Sequence, residues 1–406
     1  MWNRSLKKLN TDAETAGAGT ARGRDLTLDL LKGIAMILVI MVHNAAHTKS
    51  ESLLDMVVMT FSQLAIPCFF MAAGAVYLNR PENPAGAAGF GKKAALKHLR
   101  RILRVYLELA FWKAVYLFVY HSFGAPVPGM RDILTYLFFF GSIPGVNTAH
   151  FWFMEAYITI LFIAPVLKEL YFKNRGLFLY LAGVLFMFEN GLFGAGLLVR
   201  LFCQFVLHKE PFLLGGLGAV NPLHFQYSFC ILYYMAGALL YEKRKEIPAG
   251  KAAAAFAAGL LGLILIRYSQ YETFLWKGSM VVSGHFWIST LFMASGFFVL
   301  VTGKPGMFSG HPFAAALRVF AETIGQSTEL IFYLHMPMLV LLDRAMYPAL
   351  LPYDGALLCA AESLCIAAAA AAVSGAVSAV KAAAGKQKGE QHGEQRGEQQ
   401  GKTSEN

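Results

Sequence analysis

The chain alternates long apolar runs with short polar stretches, and that alternation predicts its elements. A membrane-crossing helix needs about 20 largely apolar residues. Ten segments answer to that description: 26–47, 53–78, 102–121, 150–167, 177–195, 223–241, 252–268, 285–302, 328–346 and 355–380. Two further apolar stretches do not fit so simply. Residues 133–142 are too short to span and predict a re-entrant or interfacial segment. Residues 197–219 are broken by Arg200, His208, Lys209, Glu210 and Pro211, and predict a hairpin or a surface helix. The pattern predicts an all-α, polytopic membrane protein of about ten transmembrane helices.

The ends differ in character. Residues 1–24 are polar and basic. They are followed by an apolar run of full span length, unlike an ordinary cleaved signal peptide. From about 381 the chain repeats Gly-Glu-Gln and cannot build a core, so 381–406 is expected to be a disordered tail. The membrane domain is thus expected over 25–380.

Composition removes the competing classes. Of the 406 residues, 56% are hydrophobic and 15% charged. A typical soluble domain has about 25% charged residues, so this chain cannot cover itself with a solvated surface. Its net charge of +10 would suggest nucleic acid in a soluble protein. Here the basic residues gather at the ends of apolar runs, which is the signature of membrane orientation and anionic-lipid contact. Counted on alternating sides, 26 of the 35 Lys and Arg fall on one side and 7 on the other, with Lys32 and Lys113 inside spans. That bias predicts an even number of spans with both termini in the cytoplasm. Cys68, Cys203, Cys230, Cys359 and Cys365 show no spacing of a disulfide framework or a zinc site.

Ionisable groups inside a span are costly, so they are candidates for function. The first span holds Asp29, Lys32 and His43. Asp29 and Lys32 are three apart and can pair on one helix face. Lys32 and His43 are eleven apart, nearly on one face and separated by roughly 16 Å along the axis. A snorkelling lysine and a buried histidine bonded to a carbonyl would explain the same residues. On the approach to the third span, Lys97, Arg101, Arg104 and Glu108 follow a helical stripe. Two guanidinium forks on one face suit phosphate oxygens. Ordinary positive-inside charge is the plainer reading of that motif taken alone.

Taken together, the two motifs resemble the membrane acyltransferase-3 family. The stretch from Arg24 to His43, with Lys32 and His43 separated by ten positions, resembles that family's opening span. Arg101 and Arg104 match its Arg-x-x-Arg motif. Further similarities are Pro67 to Gly74, His150 to Met154, Gly325-Gln326-Ser327, and Ile331 to His335. The resemblance covers about 22–380. It implies an enzyme of the cytoplasmic membrane and O-acyl transfer, commonly of acetyl, from cytoplasmic acyl-CoA to a hydroxyl of a cell-surface glycan or its lipid-linked precursor.

On that implication, Arg101 and Arg104 receive the CoA phosphates, and His43 acts on the hydroxyl proton or carries the acyl group. Asn44, or Lys32 with Asp29 beside it, would serve the oxyanion. Glu155 would orient His43 or the acceptor. His150 and His335 sit in similar contexts and rank below these. His47 lies one turn from His43, but no third ligand accompanies the pair, so no metal is expected. Small residues around Ala252–Gly262 predict close helix packing. A transporter of a glycan, lipid or small solute is the alternative, since intramembrane charge suits it too. The chain shows no inverted repeat to support it.

Overall fold

The computed structural model describes residues 25–44, 60–80, 91–139, 148–192, 227–274, 288–309, 312–350 and 358–377, with isolated positions between them. For 267–274 and 343–350 only the backbone is described. Both polar ends, His47 and most of 197–219 lie outside these residues.

All regular structure among the described residues is helical. In chain order the helices are α1 (Leu26–Asn44), α2 (Ala65–Leu78), α3 (Lys92–Ser122), α4 (Met130–Phe138), α5 (Trp152–Lys173), α6 (Arg175–Phe186), α7 (Ser228–Lys243), α8 (Ala249–Phe274), α9 (Ile288–Thr302), α10 (Pro312–Phe320), α11 (Thr328–Leu350) and α12 (Leu358–Val377). A helix lies in each of the ten segments expected to span. Five described helices combine the length and the hydropathy of a span: Leu26–Asn44, Thr60–Leu78, Ala149–Lys173, Ala249–Ile266 and Leu358–Val377. The protein is a polytopic helical membrane protein. Leu99, Leu103, Leu107, Phe111 and Phe118 leave one flank of α3 apolar and exposed, as lipid contact requires.

The expected short stretch at 133–142 overlaps the nine-residue α4, too short to span, with Tyr136 buried beneath it. The segment 303–325, which lies between two expected spans, also carries helical structure. A 3₁₀ turn (Pro305–Phe308) leads into α10, which runs on as a π-helical turn, Ala321–Gly325. The apolar stretch is too brief to register as a span, yet it packs closely on α1. A Cβ at Gly325 would lie 2.0 Å from the Asp29 carbonyl oxygen, so only glycine permits this approach.

Glycine also sets two other close crossings. A Cβ at Gly74 would lie 1.8 Å from the Tyr234 carbonyl, and one at Gly237 would lie 2.1 Å from that of Met71, which brings α2 and α7 backbone to backbone. Gly259 and Gly296 do the same for α8 and α9. The expected packing role of the small residues near 252–262 is what the structure shows, because helices in lipid gain most where backbones can approach.

Two side-chain networks tie one end of the bundle together. The Asp25 carboxylate caps α1 by accepting from the Thr27 backbone N–H (2.9 Å) and hydroxyl (2.6 Å). It also accepts from Tyr241 (2.5 Å), with Arg244 3.7 Å away. Beside it, Glu242 accepts from Tyr171 and Arg175, each at 2.5 Å. Burial pushes the Asp25 pKa up, but the hydrogen bonds from Thr27 and Tyr241 and the Arg244 charge outweigh it and hold the carboxyl below its ordinary range. The resulting stabilisation is present above the ordinary carboxylate pKa and is lost as pH falls through the lowered one. Asp25→Ala is therefore expected to destabilise the protein by about 1–2 kcal/mol at neutral pH, the size of a lost helix cap. The difference should shrink in acid, as read from denaturation curves at two pH values.

Candidate functional site

His43 sits in the last turn of α1, and its ring faces into the bundle. It meets two other imidazoles. Ring centroids are 5.8 Å apart for His43 and His150, 5.3 Å for His43 and His335, and 5.2 Å for His150 and His335. The three come from α1, from the 3₁₀ turn Ala149–Phe151 that opens α5, and from α11. His150 and His335 are fully buried, while His43 keeps partial exposure.

The hydrogen bonding of this cluster is incomplete. His335 places Nδ1 2.6 Å from the Phe332 carbonyl oxygen. A carbonyl only accepts, so Nδ1 carries the proton and Nε2 holds a lone pair. Among the described residues, neither ring nitrogen of His150, nor Nε2 of His335, has a hydrogen-bond partner. Buried polar atoms are normally satisfied, so these nitrogens are donors and acceptors available to a water or to a group that enters the site. Among the described residues no three His, Cys, Asp or Glu are arranged to hold a metal ion.

Aromatic rings wall the cluster. Tyr116 lies 5.2 Å from His150, ring to ring, and its hydroxyl donates to the Tyr333 carbonyl (2.9 Å). Phe151 and Phe332 pack against His150 at 4.2 and 5.5 Å. Trp112 stacks on Tyr333 at 5.1 Å, with the planes within 7°.

An ion pair between a buried lysine and a partly buried glutamate stands next to the cluster. Lys113 Nζ lies 3.5 Å from Glu155 Oε1, and the Tyr227 hydroxyl donates to Glu155 Oε2 (2.9 Å). Lys113 is one turn from Tyr116 on α3, and Glu155 is one turn beyond Phe151 on α5. Glu155 is thus held by Lys113 and Tyr227.

The remaining expected site residues fall into three places. Lys32 pairs with Asp29 at 2.7 Å, as their spacing predicts. Because α1 is continuous, the pair stays roughly 16 Å along the axis from His43, beside Gly325. The Asn44 side-chain amide donates to Glu362 (2.7 Å) and to the Cys359 carbonyl (3.4 Å), which commits both of its N–H donors to α12. Arg101 and Arg104 both lie on α3, exposed. Arg101 donates to the Tyr157 hydroxyl at 2.9 Å. Its partner helix is positioned by proline chemistry: Pro165 lacks the N–H that would bond the Leu161 carbonyl, and His98 Nε2 sits 2.6 Å from that oxygen instead.

Sequence reasoning ranked His150 and His335 below His43 and passed over Lys113 and Tyr227. Lys113 carried a usable signal, a charge in mid-span. Tyr227 carried none.

The Acyl_transf_3 family model, described as an acyltransferase domain, matches residues 25–380. No curated protein and no solved structure matches the chain. The match covers the three histidines, the ion pair and the Arg-x-x-Arg helix alike, and the chain belongs to the membrane acyltransferase-3 family.

Proposed function

We propose that this acyltransferase moves an acyl group, acetyl in the first instance, from acyl-CoA to a hydroxyl of a cell-surface glycan or its lipid-linked precursor. The observation that carries the reading is the convergence of three imidazoles, two of which, His150 and His335, hold buried nitrogens without a partner among the described residues. An alcohol is a poor nucleophile while protonated, and a neutral imidazole is the side chain suited to take its proton. In the proposed step the acceptor oxygen attacks the thioester carbonyl carbon. His43 takes the hydroxyl proton, the C–O bond forms and the C–S bond breaks. The proton then passes to the departing CoA sulfur. His150 supplies a hydrogen bond to the developing oxyanion, and His335, with its tautomer fixed, orients His43.

Donor placement follows from α3. Arg101 stands fifteen residues from Tyr116, about 22 Å along the helix, and Tyr116 touches the histidine cluster. The phosphates would rest at Arg101 and Arg104, and the pantetheine arm is the part of the donor suited to that gap. The lysine and arginine bias supports ten crossings with both termini, and so the Asp25 end, in the cytoplasm. Acyl-CoA would then enter from the cytoplasm.

The test uses purified protein in detergent. Acetyl-CoA is expected to raise the unfolding temperature, as a ligand of the folded state must, and labelled acetyl is expected to appear on hydroxyl groups of surface glycan. Protein that neither gains stability from acetyl-CoA nor transfers the label would overturn the reading.

A further inference from the structure

Glu362 is the one Asp, Glu, Lys or Arg between Leu358 and Val377, the extent of α12. A charge within a span is costly and points to function. The fold puts this one beside the histidine cluster. Glu362 Oε2 accepts from the buried Asn44 amide at 2.7 Å. The Cys359 thiol, 3.5 Å from the Met41 carbonyl, continues the seam between α1 and α12. Asn44 follows His43 in the chain. One Cα step of about 3.8 Å, the asparagine side chain and that hydrogen bond keep the carboxylate within about 10 Å of the His43 backbone. The pair stands at the far end of α1 from Asp25, Tyr241 and Arg244. Helix α5 leads from the cluster past Tyr157, which holds Arg101, to Tyr171, which bonds Glu242 beside Tyr241. Arg101 therefore lies toward the Asp25 end, and the Glu362 end is the one left to an acceptor.

Glu362 and His43 are both partly exposed. A carboxylate has about four lone-pair sites, so the Asn44 amide leaves it room to accept from further donors. The hydroxyls of a sugar are such donors, and hydrogen bonds to an ionised acceptor are the stronger kind. The same charge repels a carboxylate or phosphate on the incoming molecule. We propose that Glu362 binds the acceptor by accepting from a hydroxyl near the one that is acylated, and that the site takes a polyhydroxyl acceptor with no anionic group at that position. The proposal rests on the acyl-transfer reading above. A plain link between α1 and α12 would use the same hydrogen bond, but it would need no charge.

The experiment compares Glu362→Gln with wild type, using acetyl-CoA and the de-O-acetylated surface glycan of the producing cell. Glutamine keeps an oxygen for the Asn44 amide and removes the charge. The expected result is an increase of about tenfold in KM for the glycan, the size of one charge-assisted contact. The kcat, the KM for acetyl-CoA and the unfolding temperature should stay close to wild type. Oxidising the primary hydroxyls of the glycan to carboxylates should weaken it as an acceptor more for wild type than for Glu362→Gln. An unchanged glycan KM, or equal weakening of both enzymes by oxidation, would overturn the proposal. So would equal rises in the KM values for glycan and acetyl-CoA, the mark of a distorted site. These results would leave the transferase reading intact. Wild-type protein that transfers no acetyl from acetyl-CoA would overturn that reading and this site with it.

Discussion

Replacing His43 by Gln is expected to lower acyl transfer by roughly 10²–10⁴-fold, the usual contribution of a positioned general base. The loss should fall on kcat, with the stabilisation by acetyl-CoA retained. Arg101, which would hold the donor, stands about 22 Å along α3 from Tyr116, which touches the cluster. Glutamine keeps polar atoms in the site and lacks the basic nitrogen. His335→Gln should give a smaller loss, since His335 is proposed to act through His43. Restoration of much of the His43→Gln activity by added imidazole would mark the lost group as a base. A His43→Gln enzyme with wild-type turnover would remove His43 from the reaction.

The second large effect concerns stability. Lys113 is buried within α3 and faces Glu155 at 3.5 Å. Breaking one side of a buried ion pair typically costs about 3–5 kcal/mol, because the remaining charge stays desolvated and unpaired. Lys113→Met should therefore destabilise the protein by about that amount, and Glu155→Leu should do likewise. The double substitution should be much milder than the two losses added, since no charge is then left without its partner. Unfolding in detergent measures all three. The single changes should also lower transfer, because Lys113 and Glu155 fix the helix turns that carry Tyr116 and His150. Near-normal stability of Lys113→Met would contradict this account of the pair.

Much of the architecture is written in hydropathy. Every apolar run of span length contains a helix, because such a run has no other way to satisfy its backbone in lipid. The Asp29–Lys32 pair was legible too, since both partners share one helix and their spacing fixes their geometry. His43 was legible as an imidazole within the first apolar run. Its companions were not assigned with the same force. His150 and His335 reach it from segments more than a hundred residues distant, and only the tilt and rotation of three helices bring the rings together. The same holds for Lys113 and Glu155, whose contact depends on how α3 crosses α5. Asn44 shows the opposite error of scale. Its place beside His43 in sequence suggested a share in the chemistry, but adjacent residues on a helix point about 100° apart, and its amide turns to α12. The α10 segment escaped notice for a simpler reason. Its helix is nine residues long, and what seats it is an absent side chain at Gly325.

The central claim is that donor and acceptor meet at His43. The most direct measurement is an experimental structure with a non-hydrolysable acetyl-CoA analogue bound. The account predicts the phosphates against Arg101 and the acetyl carbonyl beside the three imidazoles, with room for a hydroxyl about 3–3.5 Å from the carbonyl carbon and within reach of His43. An analogue bound with its acetyl end away from His43, His150 and His335 would contradict it.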